Sequence, residues 1–527
     1  MARSGRSIGV RGTIGVGDSE VTLALEGTFD SLDLRRIHKA APPTALSGSW
    51  TTDLRVPHGS AGAATGTARV DSLTGDVAGV PLGAGTIPIR FEQDRVSVEA
   101  ARVAFTGGAL TINGGLGRGG RDATMDLIVR SDTLGYVEPL LRWMRRETGD
   151  TSSVGLDGAG RIEARLSGTT DAWTIDAELS VDGVSVAGST NRAVRGRGRL
   201  AGGGHGYAVA AQLSAEQVTI AGLNYAPLEL NFNGPLDSLT VRATAGFMAG
   251  SSARAQVTVR GDSAVRLVQV DSLEWKLPVR TWTLARSGMV RIAGDAITFD
   301  TLELHEHAGV GFVRAQGTLP LRGGVADFVL AADSLPMTDI YTLAQREASG
   351  IRGAINGAAR IAGPVETPSM EARIALSDGG FTDYRLPLVQ ILARYTDQRL
   401  TLKGGLWQGE TQFVTINGSL PFDLALRPVA HRQLPGPISI VAKADSLDLE
   451  VLAPPTDLVT NLPGRMGLDV RIGGTWRDSR LSGFVDLVGG AMTIPALGAR
   501  YTRIDARLEL ADSTVRVVRG RLHGGNG

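Results

Sequence analysis

The sequence contains no cysteine, few aromatic residues and no excess of charge of either sign. The absence of cysteine excludes disulfides, thiolate metal sites and a cysteine nucleophile. The 54 basic and 54 acidic residues give a formal net charge of zero, so we expect no nucleic-acid partner, which normally requires a basic surplus. No run of about 18 apolar residues occurs, and the basic N-terminus lacks an apolar segment. We therefore expect no signal peptide and no membrane anchor in this chain.

Glycine is the most unusual part of the composition, with 70 residues in 527. The glycines follow no Gly-X-Y period, which excludes collagen, and the 42% of hydrophobic residues is too high for wholesale disorder. Glycine combined with β-branched residues and few helical patterns is typical of many short strands joined by tight turns. At roughly 12 residues for each strand and turn, about 40 strands are expected.

Apolar and polar residues alternate along several segments, which is typical of strands with one covered face and one face in water. A parallel sheet covered on both faces would show continuous apolar runs instead, so the alternation favours an antiparallel sheet. The apolar positions of four such segments form the candidate binding face. They are Ile175, Ala177, Leu179, Ile374, Leu376, Leu468, Val470, Ile472, Ile504, Ala506 and Leu508.

Two short motifs recur between or at the ends of these segments. Asn-Gly and Asp-Gly dipeptides favour positive φ and predict hairpin turns. These dipeptides begin at Asp182, Asn233, Asn356, Asp378 and Asn417. An Asp-Ser/Thr-Leu tripeptide begins at Asp30, Asp132, Asp333 and Asp445. Its short polar side chains can bond the local backbone, so we predict a structural role at strand ends rather than a serine nucleophile.

Longer similarities indicate an internal repeat of roughly 100 residues within one continuous region. Residues 350–402 run parallel to residues 462–512, with glycines and alternating strands in the same order. Breaks are expected near 42–43 and 454–455, where proline pairs occur, and short helices at 136–147 and 338–348. The sequence stops within a strand pattern, which favours a section of a longer protein over a complete soluble protein with a glycine-rich tail.

Three motifs that resemble chemical sites have simpler explanations. The glycines of residues 115–120 fit G-x-G-x-x-G, but a strand rather than a helix is predicted next, so a hairpin is favoured over a dinucleotide site. The His305-Glu306-His307 segment has no third ligand nearby and indicates an exposed strand face. Arg195 to Arg199 lacks interleaved aromatics and predicts a strand with a basic outer face. We predict no catalytic residue, cofactor or metal.

An apolar strand face has to be covered, and a second sheet, a groove closed on itself, a helix layer or a bound ligand would each do so. The predicted helices are too few for a helix layer. We predict an all-β fold: a long antiparallel sheet that curls into an elongated hydrophobic groove (β-taco-like), with a few short helices. Acyl chains suit such a groove, because each buried CH₂ contributes about 0.8 kcal/mol.

The stretch from Leu481 onwards resembles the TamB-like proteins of the AsmA-like superfamily. The similarity lies in a strand, the turn at Gly489-Gly490, a strand ending at Pro495, Gly498 with Tyr501, and alternating strands leading to Gly524-Gly525. The resemblance implies a periplasmic β-groove, anchored in the inner membrane, that carries phospholipid toward the outer membrane or assists outer-membrane protein assembly beside a BamA-like partner. The anchor and docking region of the family are not identified in this sequence.

Two other readings remain open at this point. A cell-surface or secreted β-repeat protein, such as an adhesin or stalk, would also have strands with one apolar face. A β-helical carbohydrate-active enzyme would require clustered carboxylates on neighbouring coils, whereas the acidic residues here are dispersed.

Overall fold

The computed structural model describes a chain made almost entirely of strands. The described residues are 8–36, 42–59, 63–117, 122–139, 158–169, 171–186, 189–203, 206–220, 222–248, 250–261, 265–321, 323–347, 350–381, 384–427, 429–449, 463–494 and 499–524. They contain 34 strands, and each strand pairing described below is antiparallel. The predicted all-β, antiparallel class with few short helices is confirmed. The chain divides into two compact units, Met1–Phe247 with Ser252–Ser263 and Met248–Ser251 with Ala264–Gly527, here called unit 1 and unit 2.

Unit 1 contains seventeen strands in its described part. They are β1 (Ile8–Val16), β2 (Glu20–Leu32), β3 (Thr44–Pro57), β4 (Thr65–Val77), β5 (Val80–Phe91), β6 (Arg95–Phe105), β7 (Gly108–Gly117), β8 (Ala123–Ser131), β9 (Gly160–Gly168), β10 (Ala172–Val186), β11 (Ser189–Gly203), β12 (Gly206–Ala215), β13 (Gln217–Ile220), β14 (Leu223–Tyr225), β15 (Leu228–Pro235), β16 (Ser238–Gly246) and β17 (Ser252–Gly261).

The strands of unit 1 pair in chain order, each with the strand before and the strand after it, from β1 to β12. The short β13–β14 hairpin then adds to one end of β11, and the order continues from β12 to β15, β16 and β17. Short connections between neighbouring strands favour this meander, because each antiparallel pair needs only a tight turn.

Unit 2 has the same arrangement over a further seventeen strands in its described part. They are β18 (Val265–Lys276), β19 (Thr281–Leu284), β20 (Gly288–Ala293), β21 (Ala296–Glu306), β22 (Phe312–Pro320), β23 (Val325–Pro336), β24 (Ile351–Pro364), β25 (Ser369–Phe381), β26 (Tyr384–Arg385), β27 (Leu388–Thr396), β28 (Arg399–Gln408), β29 (Thr411–Pro421), β30 (Ser439–Asp448), β31 (Arg465–Gly474), β32 (Ser479–Ile494), β33 (Ala499–Ala511) and β34 (Thr514–Gly524).

Pairing in unit 2 again follows the chain. Strand β18 pairs with β19 and β20, both of these pair with β21, and the order then runs from β21 to β34, with β26 as a short addition to β25. The one α-helix bounded within the described residues, α1 (Met337–Leu343), follows β23 directly and overlaps the helix expected at 338–348.

Helical turns elsewhere in the described residues are short. Leu34–Arg36 and Leu134–Val137 form single 3₁₀ turns. Most of the helix expected at 136–147 lies outside the described residues, as does the expected break at 454–455. Residues 42–43 form the start of the segment that leads into β3.

The hairpin turns predicted from Asn-Gly and Asp-Gly dipeptides are wrong. All five dipeptides lie within strands, in β10, β15, β24, β25 and β29. In β24 the glycine serves close strand approach instead: a Cβ added at Gly357 would lie 2.1 Å from the carbonyl oxygen of Arg373 on β25. The turns use other residues, such as Asp397-Gln398 between β27 and β28, where both residues have positive φ (51° and 57°).

The Asp-Ser-Leu tripeptide forms a β-bulge rather than a strand end alone. Ser31 and Ser334 have positive φ (53° and 50°), and the strand register shifts at both positions. The backbone N–H of Ser334 donates to Oδ1 of Asn356 on the next strand at 2.8 Å, which satisfies the donor that the bulge removes from the ladder. The bulge turns the following leucine inward, and Leu447 is only 2% exposed.

Small buried clusters lie around these bulges instead of forming one continuous core. In unit 1 one cluster contains Leu46, Leu73 and Val103, and in unit 2 one contains Val414, Ala444 and Leu447. On interior strands of unit 2, Leu330, Ile374 and Ile391 are substantially exposed, so the apolar sheet surface at these positions is not covered by a second layer.

Candidate functional site

The strand register of unit 2 aligns apolar residues into a row that crosses fourteen strands from β19 to β34. We call it the central row. It consists of Leu284, Leu304, Val313, Ala332, Gly357, Ile374, Ile391, Gly404, Ile416, Ala442, Val470, Gly483, Leu510 and Val515. Every member is aliphatic or glycine. At about 4.8 Å for each strand step, the row extends over roughly 60 Å.

Parallel rows on the same face of unit 2 are equally apolar. One crosses eleven strands through Leu302, Ala315, Leu330, Ala359, Ala372, Ala393, Leu402, Gly418, Ile440, Ile472 and Leu481. Another runs through Ala444, Leu468, Val485, Leu508 and Val517. The strand register places the apolar positions of each strand opposite the apolar positions of the next strand. The apolar residues of the alternating strands therefore form one continuous face across the unit.

The sequence-predicted positions of unit 2 fall on this face but not all in one place. Ile374 and Val470 belong to the central row, although five strand pairings separate them. Leu468 and Leu508 meet through Val485, and Ile472 lies on the eleven-strand row. The other three positions have these cross-strand partners: Leu376 has Ile355 and Val389, Ala506 has Leu487 and Gly520, and Ile504 has Gly490.

Unit 1 carries an apolar face of the same kind. Ala177 lies in a row of ten positions: Ala101, Ile112, Leu127, Ala164, Ala177, Gly198, Ala211, Phe232, Val241 and Val257. Leu179 lies in the neighbouring row, between Ile162 on β9 and Gly196 on β11, and Ile175 lies between Leu166 and Leu200. The structure thus brings these three predicted positions together on one strand.

Large aliphatic side chains on these faces remain accessible. In unit 2, Leu330, Ile374 and Ile391 are 44%, 41% and 37% exposed, although all three lie on interior strands of the sheet. Such exposure is unusual for residues in the middle of an apolar face, and contiguous exposed apolar surface commonly marks a binding site.

The opposite face of each sheet is polar and held by ion pairs across neighbouring strands. In unit 1, Arg165 contacts Asp126 at 2.6 Å, and Arg199 contacts Asp176 at 2.7 Å, each directly opposite its partner. Arg507 contacts Asp486 in the same way in unit 2, at 2.9 Å. Because these pairs are largely exposed, each contributes little to stability, and their main effect is to fix register and partner strand.

Two carboxylates on the polar face of unit 2 are held strongly in the ionised form. Arg471, together with Lys443 on the neighbouring strand, lowers the pKa of Asp469 from 3.8 to about 2. Hydrogen bonds from Arg314 and His305 lower the pKa of Glu303 below its usual value. Each carboxylate is thus a fixed negative charge within an ion-paired network, not a group poised to exchange a proton near neutral pH.

Open depressions on the polar face of unit 1 are lined by both signs of charge. One is bordered by Arg161, Glu163, Glu178, Arg195 and Arg197, among others. Arginine and carboxylate side chains are balanced there, which gives no electrostatic preference for an anion or a cation. These depressions lie on the side of the sheet away from the apolar rows, since their charged residues alternate with row members such as Leu179 and Gly196.

Two of the three motifs weighed in the sequence lie on polar strand surfaces. Arg195 to Arg199 lies in β11 with Arg197 bonded to Gln212 and Arg199 to Asp176, as predicted for a basic outer face. His305 contacts Glu303 at 2.5 Å, and in the described ranges no three metal-ligating side chains gather. Of residues 115–120, the first three end β7 and the others lie outside the described residues.

Sequence reasoning missed a buried polar contact beneath α1. Trp282, 1% exposed, donates its indole Nε1–H to Oδ2 of Asp339 at 2.9 Å, and Arg280 lies 3.7 Å from the same carboxylate. The two residues are 57 positions apart in sequence, so no local pattern connects them. It also missed the bulge at Asp71-Ser72-Leu73, although that segment matches the recurring tripeptide and would have been found by a complete search for it.

Comparison with known proteins adds no relative: no family model matches the chain, and no curated protein is similar to it. Among the helices in the described residues, none is long and apolar enough to cross a bilayer.

Proposed function

We propose that this chain is a lipid-conducting section of a TamB-like envelope protein, in which phospholipid acyl chains bind along the apolar sheet faces. The observation that carries the proposal is the central row, which stays aliphatic or glycine across fourteen strands. A single polar residue in such a row would interrupt a track for acyl chains, and none occurs in it.

The energetics favour acyl chains over water on this face. Each methylene that leaves water contributes about 0.8 kcal/mol, so a chain lying across several strands gains several kcal/mol without any hydrogen bond. The polar headgroup would stay in solvent beyond the strand ends. No reaction is required of the protein, which agrees with dispersed, ion-paired carboxylates.

The cellular setting follows from the same proposal. Lipid carried between membranes has to cross an aqueous compartment, so we place the chain in the periplasm of a Gram-negative-type cell envelope. Phospholipid transfer between the inner and outer membranes is the leading role, and assistance to outer-membrane protein assembly beside a BamA-like partner is the related one.

A structural stalk or adhesin is the second candidate. It is less well supported by the accessible aliphatic side chains in mid-sheet, because a stalk in water is more stable when its apolar positions are covered. Native mass spectrometry after detergent-free purification separates the candidates: a conduit retains phospholipid, whereas a stalk carries none.

A sharper experiment compares two double variants that carry the same added charge, one on the apolar face and one on the polar face of the same strands. Leu330 and Ile391 lie on the apolar face, and Val329 and Leu392, one residue away, lie on the polar face. We expect Leu330→Asp with Ile391→Asp to lower transfer of fluorescent phospholipid between vesicles roughly ten-fold or more, because an acyl chain would have to pass desolvated carboxylates.

The matched control is Val329→Asp with Leu392→Asp, which adds the same charge to the same strands. It should retain transfer within about two-fold, with both variants checked for unchanged β-structure by circular dichroism. Equal transfer by the two double variants, or equal loss in both, would contradict acyl-chain passage along the apolar face.

A further inference from the structure

An open depression of about 730 Å³ lies on the polar face of unit 2, across strands β24 to β29. Its side chains belong to polar-face positions, since Arg373, Gln390 and Lys403 alternate along their strands with members of the central row. Among the described residues that line it, two are cationic and none is aspartate or glutamate. Arg373 is paired with Glu371 on its own strand at 2.8 Å, which leaves Lys403 as the uncompensated charge.

Trp407 supplies the aromatic ring of this depression. It is half-buried and stands opposite Gln412 on β29. Trp282 and Trp476 donate their indole N–H groups to protein oxygens at 2.9 Å, but within the described contacts the indole N–H of Trp407 has no acceptor. An accessible indole with an unused donor suits a ligand that is apolar on one side and polar at its rim.

Amide side chains around Trp407 have spare hydrogen-bonding capacity. Gln390 and Asn417 are exposed, and among the described residues their side chains make no hydrogen bond. Gln412 donates its amide N–H to two neighbouring backbone carbonyl oxygens at 3.3 Å each, so its position is fixed while its own carbonyl oxygen can accept. An amide can donate and accept at once, and this is the capacity that adjacent hydroxyl groups of a ligand require.

Lys403 lacks the cross-strand carboxylate that is usual for a cation on this face. It stands between Leu392 and Asn417 on the two neighbouring strands. By contrast, Lys443 stands directly opposite Asp469 and contacts it at 3.2 Å. In the part of the chain that the structure describes, Lys403 has no ion-pair partner, so its charge is available to an anionic group of a ligand.

We propose that this depression binds an acidic oligosaccharide. One sugar ring lies with its apolar C–H side on Trp407, ring hydroxyls exchange water for the amides of Gln390 and Gln412, and a uronate-type carboxylate pairs with Lys403. Neighbouring strands are about 4.8 Å apart, close to the length of one sugar unit, so successive rings can contact successive strands. The site lies on the side of the sheet away from the apolar rows and is independent of whether acyl chains bind there.

An acidic peptide fits the depression less well. Strands β24 to β29 that line it are interior strands paired on both sides, so they offer no backbone edge to a peptide strand. A peptide would be held mainly by its charge on Lys403, which by itself is weak at an exposed site. The indole and the amides favour a rigid ring that carries hydroxyl groups.

The test is isothermal titration calorimetry of the full chain at low salt with linear tetramers of galacturonate and of glucuronate. One control is the neutral galactose tetramer, and the other is a tetraglutamate peptide, which has similar charge without sugar rings. We expect an acidic tetramer to bind, with both controls at least roughly ten-fold weaker, and its affinity to fall as salt rises.

Substitutions separate the contribution of the ring from that of the charge. Trp407→Ala should weaken binding of the acidic tetramer roughly ten-fold or more, and Trp407→Phe should retain part of the affinity because a ring remains. Lys403→Gln should weaken it roughly five-fold and remove its advantage over the neutral tetramer. Lys276→Gln, at an exposed position of β18, is the matched control and should leave binding unchanged.

Several results would overturn the proposal. They are no binding of either acidic tetramer, equal binding of the neutral tetramer, and equal binding of the tetraglutamate peptide, which would reduce the site to charge alone. An unchanged preference for the acidic tetramer in Lys403→Gln would also overturn it. So would full affinity in Trp407→Ala or Trp407→Phe together, with circular dichroism showing that the β-structure of each variant is retained.

Discussion

At the scale of single residues, Asp339 is the side chain whose loss should cost most in unit 2. It is 3% exposed and accepts the indole N–H of Trp282, which is itself buried. Its removal leaves a buried donor without a partner. The Arg280 guanidinium, which lies between Asp339 and Glu306, also loses one of its two carboxylates.

We expect Asp339→Ala to lower the free energy of unfolding by about 2 kcal/mol or more, the cost of an unsatisfied buried donor together with the lost packing. Urea unfolding followed by tryptophan fluorescence measures the change. Asp300→Ala, at an exposed position, is the control and should shift the midpoint little. Equal effects of the two substitutions would show that the Trp282–Asp339 contact adds nothing.

Asp469 gives the polar face a defined pH response. Its pKa is lowered from 3.8 to about 2 by Arg471 and Lys443, so the ionised form is favoured by folding. A depressed folded pKa contributes stability that is present above pH 3.8 and is lost as pH falls toward 2. We expect Asp469→Asn to show a smaller drop in urea midpoint between pH 6 and pH 3 than the wild type. An identical drop in both proteins would rule out this contribution.

At the scale of elements, glycine determines how closely strands approach. Gly483 in β32 belongs to the central row and has φ of +142°, and a Cβ there would lie 2.0 Å from the carbonyl oxygen of Asp469. Gly473, on the neighbouring strand β31, has nothing within 4 Å of the same added atom. Substituting each glycine in turn therefore distinguishes two effects. At Gly483 the added Cβ meets the neighbouring strand, whereas at Gly473 it only restricts the backbone.

Gly483→Ala should destabilise the protein by about 2 kcal/mol or more, because the strands would have to separate or the backbone change conformation. Gly473→Ala should be neutral or slightly stabilising, by up to about 0.5 kcal/mol, since it restricts the unfolded chain. Thermal unfolding of the two variants side by side measures the difference. A destabilised Gly473→Ala with a stable Gly483→Ala would reverse this assignment.

The sequence predicts the strands better than their connections. Alternation placed Ile472, Leu468 and Ile504 on strands because side-chain direction follows from local backbone geometry with a period of two. The hairpin turns predicted from Asn-Gly dipeptides are wrong because a dipeptide's turn preference is also local. In β24 the close contact of the glycine with β25 outweighs that preference. Which residues share an apolar row depends on the pairing of the strands and on bulges such as the one at Ser334. Both the pairing and the bulges depend on residues far apart in the sequence.

The central row also differs from what its individual strands predicted. Gly404 and Gly483 carry no hydrophobic signal, yet each occupies a place between two aliphatic residues contributed by other strands. A search for alternating apolar and polar residues treats such glycines as interruptions of the apolar pattern. The strand register shows instead that they continue the apolar face.

At the scale of the whole molecule, the two units share one construction principle, a meander in which each strand contacts mainly its chain neighbours. Their apolar faces are incompletely covered, and ligands that bind only the folded state should therefore stabilise the protein by mass action. This links the proposed function to a measurement that needs no membrane.

We expect a short-chain phospholipid, below its micelle concentration, to raise the unfolding free energy by about 2.7 kcal/mol at one hundred times its dissociation constant. Differential scanning calorimetry across a lipid titration gives the shift. Leu330→Asp with Ile391→Asp should show a smaller shift than Val329→Asp with Leu392→Asp. A shift of the same size in both would place lipid binding somewhere other than on the apolar face.

The uniformity of the central row has a consequence for motion along it. Val313, Ile374, Ile391, Ile416 and Val470 present similar aliphatic surface, and the positions between them in the row are alanine or glycine. Under the proposed function, a hydrocarbon chain that moves two or three strands along the row exchanges one branched aliphatic contact for a similar one. Such a row has no built-in direction, so net movement of ligand would follow the difference in ligand supply between its ends.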